Sequence, residues 1–141
     1  MLTEMKALAK QKDMCVLATV AGQKPYCSLM AYVTDDSCEE IYMVTHKNST
    51  KYKNLMQNPA VSLLIDTREK APCSEAKALT VEGVFCKIKN AAKRKQAAAK
   101  LLKMHPHLDN FMQHPEADVF CVRINSFLLL DGLQHAHFET I

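Results

Sequence analysis

The sequence predicts a mainly β, α+β fold: a small, mostly antiparallel barrel with a few peripheral helices. Three observations predict it. Six or seven β-favouring runs occur, helical patterns interrupt them only at intervals rather than after every strand, and turn signals separate several neighbours closely enough for hairpins. A doubly wound parallel sheet would need regular β-α alternation and is disfavoured.

From the N-terminus, the first dozen residues read as an amphipathic helix, with Leu2, Met5, Leu8 and Ala9 on one stripe and Lys6, Lys10 and Lys12 off it. It is expected to pack on the edge of the barrel. Met14 to Ala21 and Pro25 to Thr34 are two apolar strands, and Gly22-Gln23-Lys24 between them has the spacing of a hairpin. Asp35-Asp36-Ser37 breaks the chain. Glu40 to His46 is a third strand and Ala60 to Thr67 a fourth, separated by a short helix from Ser49 to Gln57 that ends at Asn58-Pro59. Lys77 to Ile88 is a long fifth strand with a bulge or bend expected at Gly83. A basic helix, Ala91 to Met104, is closed by His105-Pro106 and succeeded by one further turn from His107 to Gln113. Two last strands are expected, Asp118 to Asn125 and Phe127 to Leu130 with its continuation.

Composition narrows the function classes. The 141 residues are 48% hydrophobic and 23% charged, with three glycines and five prolines, the profile of one soluble globular domain over residues 1–141. A core of this size needs neither metal nor disulfide to hold it. No apolar run is long enough for a membrane helix, and the start of the chain lacks the basic-then-apolar order of a secretory signal, so the expected address is the cytoplasm. The six cysteines (15, 27, 38, 73, 86 and 121) include no C-x-x-C pair, and Cys15, Cys27, Cys86 and Cys121 lie in apolar runs. They read as reduced structural thiols, with no metal site.

The formal charge of +3 is unevenly spread: Lys87, Lys89, Lys93, Arg94, Lys95, Lys100 and Lys103 have no acid among them. Ala98, Leu101 and Leu102 give the same stretch an apolar face, and no aromatic residue is interleaved for base stacking, so it reads as a solvated helix and not a nucleic-acid surface. His105 with His107, and His135 with His137, form two H-x-H pairs. Neither has a third ligand close in sequence, and capping, turn or surface roles are expected.

The most informative stretch runs from Ile41 to Leu55. A strand ends at Thr45, and the next helix opens on Asn48, Ser49 and Thr50, all able to cap, with Lys51 in its first turn. A helix N-terminus already carries partial positive charge, so Lys47, Lys51 and Lys53 destabilise it unless an anion sits among them. Two readings are open: a phosphate held by Thr45, Thr50 and Lys51, or a capped surface helix whose lysines point to water.

The run Leu17-Ala18-Thr19-Val20, Gly22 to Met30, Ile41 to Thr45, Ser49 to Leu55 and Asn58 to Ile65 resembles the pyridoxamine 5′-phosphate oxidase-like family of FMN-binding split β-barrels. The match in order and spacing covers about Met14 to Ile88. The resemblance implies a homodimer of split barrels with FMN at each of two interface clefts. It places Ser28, Leu29 and Met30 against the isoalloxazine ring and Thr45, Thr50 and Lys51 on the phosphate, assisted by Asn54. It does not extend to the end of the chain. The family's true oxidases read substrate phosphate there with arginines, a proline and a tryptophan, whereas this chain has no tryptophan and Arg123 is its sole arginine after Arg94. Oxidation of pyridoxamine phosphate itself is therefore disfavoured, and no residue is nominated as a general acid or base. Gln134, with His135, is expected to reach the cleft of the partner subunit. The functions left open are an FMN-dependent oxidoreductase, a flavin-binding electron carrier, a haem-handling protein of the same fold and a ligand-free dimeric scaffold.

Overall fold

The computed structural model describes residues 1–68, 71–72 and 74–141; Cys73 lies outside them. Its elements are α1 (Leu2–Gln11), β1 (Met14–Ala21), β2 (Lys24–Ala31), β3 (Val33–Thr34), β4 (Glu40–His46), α2 (Thr50–Gln57), β5 (Ala60–Asp66), β6 (Lys77–Lys87), α3 (Ala91–Met104), α4 (Asp109–Gln113), β7 (Ala117–Asp131) and β8 (His135–Thr140). A single 3₁₀ turn, Pro106–Leu108, joins α3 to α4. The strands form one antiparallel sheet in the order β2-β1-β5-β6-β7-β4-β3, with β8 paired to the far half of β7. This curled sheet with peripheral helices is a split barrel.

The β1–β2 hairpin is tighter than expected. Ala21 pairs with Lys24, so only Gly22 and Gln23 form the turn, and Gly22 at φ +63° takes the first position, where positive φ suits a strand-matching turn. The expected second strand also divides. Tyr32 leaves the ladder, is wholly buried, and donates its hydroxyl to Ala9 O at 2.7 Å, after which Val33 and Thr34 pair with β4 instead. Asp35 makes the next break by accepting the backbone N–H groups of Glu39 and Glu40 at 2.8 and 3.0 Å.

The core lies inside the curl. It is built from Leu17 of β1, Met43 of β4, Leu63 and Ile65 of β5, Leu79 and Val81 of β6, and Phe120, Phe127 and Leu129 of β7. Each such side chain contributes roughly 1.5–3 kcal/mol by leaving water. Helix α1 does more than pack on an edge: Met5 and Ala9 are fully buried in this same core.

The two strands expected at the end are one. β7 runs through both, with Ile124 facing Gly83 and Ser126 facing Glu82, so Asn125 is an extra residue in the ladder. The bulge expected on β6 is therefore carried by β7. Gly83 has a different reason to be glycine: a Cβ there would sit 2.5 Å from Arg123 O. Outside the barrel, Ala97 and Leu101 turn α3 onto β4 and β7, with Ala98 beside them. Its lysines are partly engaged, Lys93 by Glu40 at 2.8 Å and Lys100 by Asp36 at 2.7 Å. No helix among the described residues is long and apolar enough to cross a membrane.

Candidate functional site

The free edge of β2 positions the site. β2 pairs only with β1, so the backbone groups along its other edge have no strand partner. Where this edge approaches β4 and α2, a cavity of about 210 Å³ is lined by Leu29, Met30 and Ala31 of β2, Val44 of β4, Lys51 of α2, and Leu108 and Phe111. Three of the residues singled out from the sequence, Leu29, Met30 and Lys51, thus meet at one cavity.

Helix α2 presents its N-terminus beside that cavity. Ser49 is the cap, its hydroxyl accepting the N–H of Tyr52 at 3.2 Å. The first N–H groups of a helix have no intrahelical acceptor, so this cap leaves those of Thr50 and Lys51 without a helix partner. No acid occupies the first turn. Lys51 is half-buried, and its ammonium makes no salt bridge among the described residues. Burial holds its pKa below the usual lysine range, with no carboxylate opposing the shift.

The other expected residues are placed differently. Thr45 is buried, and its hydroxyl lies 3.1 Å from Ser49 Oγ, so it braces the cap. Thr50 is exposed at the helix start. Asn54 is buried and donates Nδ2 to Thr19 Oγ1 at 3.2 Å, tying α2 to β1. Ser28 stands on β2 opposite Leu17. Gln134 lies in the β7–β8 turn and lines a separate, open cavity with Asp131, Gly132 and Leu133. The tail is paired as β8, with His135 opposite Asp131 and His137 opposite Leu129. His105 caps α3, buried, with Nε2 2.9 Å from Tyr32 O.

Leu108 and Phe111 were not singled out from the sequence. Their segment reads there as a single turn, and the available signal was an aromatic residue standing in a polar, histidine-rich stretch. Phe111 is held by a stack: the His46 ring lies 3.9 Å from Phe111 and 4.5 Å from His114, and His46 Nε2 is 3.1 Å from Phe111 O.

The donor set suits a phosphate ester attached to a flat apolar group. A cation and helix N–H groups that have no partner among the described residues suit a phosphate's chemistry, while Leu29, Val44, Leu108 and Phe111 offer apolar walls.

The family model for pyridoxamine 5′-phosphate oxidase matches residues 1–130. The chain belongs to the pyridoxamine 5′-phosphate oxidase family. Solved structures share the fold. A heme-binding protein from Mycobacterium smegmatis superposes with a TM-score of 0.85 at 18% identity, over 97% of this chain and 56% of that one. An FAD-binding protein from Mesorhizobium loti gives 0.76 at 17% identity, over 92% of this chain and 93% of its own. HutZ, the heme storage protein from Vibrio cholerae, gives 0.71 at 21% identity, over 96% and 92%. The chain therefore spans little more than half of the first relative and nearly all of the other two. No curated protein matches the sequence. Proteins of this one fold are thus described as binding either flavin or heme.

Proposed function

We propose that this chain binds FMN in the seam beside β2 and serves as a small flavin-dependent oxidoreductase. The observation that carries the reading is Lys51, a half-buried cation without a carboxylate, at a helix N-terminus that opens on an apolar cavity. A phosphate supplies the missing negative charge. Lys51 and the N–H groups of Thr50 and Lys51 would hold it, and the β2 edge at Ser28, Leu29 and Met30 would offer hydrogen bonds to the ring. Bound flavin supplies hydride or electron transfer; the chain's own residues orient it, hydrogen-bond it and exclude water.

The reading includes a homodimer. At about 210 Å³ the cavity is smaller than the roughly 300–1,000 Å³ typical of sites for ligands of this size, which supports a second surface that completes it. The outer face of the sheet offers one. Leu29, Val16, Leu64, Thr80, Leu128 and Phe138 stand directly opposite one another in turn across β2, β1, β5, β6, β7 and β8. Leu29 is 72% and Phe138 61% exposed, an apolar row that a two-fold partner would cover. Since Leu29 also lines the cavity, a partner on this row reaches the site.

Purified protein tests the cofactor. Flavin gives a band at about 450 nm and heme an intense one at about 400 nm; flavin absorption with release of FMN on denaturation is expected. A protein that takes up heme and no flavin overturns the reading in favour of heme handling. Gln134 is assigned to the partner's cleft, so Gln134→Ala is expected to shift the bound-flavin spectrum while the dimer persists. An identical spectrum and affinity would remove Gln134 from the site.

A further inference from the structure

The excursion that brings Leu108 and Phe111 to the cavity leaves the sheet at the end of β6 and returns at the start of β7. Both strands carry a cysteine at this stem: Cys86 stands directly opposite Cys121. Opposed residues of an antiparallel pair share a face with Cα atoms roughly 4.5–5.5 Å apart, within the roughly 4.4–6.8 Å that a disulfide spans. Both thiols are free. No other cysteine in the described strands has this arrangement, since Cys15 faces Met30 and Cys27 faces Ala18.

The two sulfurs have different surroundings. Cys121 is 2% exposed, beneath α3 among Tyr42, Ala97 and Leu101. Its Sγ–H donates to Glu40 Oε2 at 3.0 Å. Burial, reinforced by the Glu40 carboxylate, pushes this thiol well above the ordinary range and keeps it protonated at rest. Cys86 is only half-buried, so it is the sulfur that a reagent meets first. Glu40 also holds Lys93 Nζ at 2.8 Å and the Tyr42 hydroxyl at 3.2 Å, so it stays paired when the thiol leaves it.

We propose that Cys86 and Cys121 are a modification site, a dithiol that a low-molecular-weight disulfide such as oxidised glutathione converts to an intrachain disulfide. Cys86 gives its proton to water and attacks one sulfur of the oxidant. The Cys86–glutathione bond forms, and the first glutathione leaves as a thiolate that takes up a proton. Cys121 then loses its proton through the Glu40 carboxylate to water and attacks the Cys86 sulfur, releasing the second glutathione. Two protein thiols are oxidised and one glutathione disulfide is reduced to two thiols. The bond closes the α3–α4 excursion at its base. This assignment does not depend on the flavin reading.

The test is to incubate the purified protein with oxidised glutathione, block remaining thiols with iodoacetamide in denaturant, and map peptides by mass. The expected result is a linked Cys86–Cys121 peptide with no glutathione on either residue, while Cys27, exposed and without an opposed thiol, keeps a stable adduct. In Cys121→Ser the adduct stays on Cys86. In Cys86→Ser, Cys121 remains reduced under native conditions. A stable glutathione adduct on Cys86 of the unaltered protein overturns the proposal. So does full reduction of both residues while Cys27 is modified.

Discussion

Lys51→Ala is expected to weaken FMN binding by about 10- to 150-fold. Charge-assisted hydrogen bonds to an ion contribute roughly 1.5–3 kcal/mol each. The upper part of that range suits a cation with no competing carboxylate nearby. The fold should be unaffected or slightly stabilised, because the substitution removes a half-buried charge that nothing compensates. Riboflavin, which has no phosphate, separates this contact from contacts to the ring. The unaltered protein should prefer FMN to riboflavin, and Lys51→Ala should bring the two affinities together. Equal FMN dissociation constants for the two proteins, by fluorescence titration, would remove Lys51 from the phosphate site.

The same side chain sets a pH dependence whose sign differs between the free protein and its complex. Burial lowers the Lys51 pKa in the folded chain, so below that value the fold carries an uncompensated charge. The cost disappears as pH rises through the folded pKa, where the unfolded chain still binds the proton, so this side chain's own contribution to stability rises across that interval, against the opposite trend from the buried thiols and tyrosines whose pKa values burial raises. FMN affinity should move the opposite way, falling as the ammonium is lost and at lower pH than for an ordinary lysine. In Lys51→Ala both of these contributions should be absent, so the stability difference from the unaltered protein should carry the first slope and FMN affinity should lose the second.

How much of the fold and site was legible beforehand depended on whether the signal was local. Capping is local: Asn48-Ser49-Thr50 before an apolar-periodic run marks the start of α2, and Ser49 is indeed the cap. The pattern of apolar, β-favouring residues is local too, and it placed β4, a strand buried on both faces, to the residue. It misled at β7, because Ile124 and Phe127 both face the core three residues apart. That spacing looks like a strand end, whereas the bulge at Asn125 resets the phase and lets one strand continue. Hydroxyl and amide groups were the least legible part of the site. Thr45 and Asn54 have the chemistry to touch a phosphate, and their positions are next to Lys51, and each also makes a hydrogen bond that its sequence position does not announce, to Ser49 and to Thr19. Short-range spacing says which side of a helix a group occupies, not which partner the far side of the barrel brings to it. Leu108 and Phe111 were hidden for the same reason, as they reach the cavity through tertiary packing of a segment distant in sequence.

Leu128→Asp is expected to dissociate the dimer and, with it, the cofactor. Leu128 stands in the exposed apolar row, between Thr80 and Phe138, and is 41% exposed in the single chain. In a two-fold interface each substitution occurs twice. Losing the burial of two leucines at roughly 1.5 kcal/mol each amounts to about 3 kcal/mol, or over 100-fold in the dimer dissociation constant, before the cost of burying two carboxylates is added. The barrel itself should be preserved, since the side chain points away from the core that Phe127 and Leu129 fill on either side of it. Sedimentation at micromolar concentration should therefore report a folded monomer, with FMN affinity lowered although no residue of the Lys51 cavity has changed. A Leu128→Asp protein that stays dimeric would place the interface elsewhere. One that becomes monomeric yet binds FMN as tightly as before would show that a single chain completes the site.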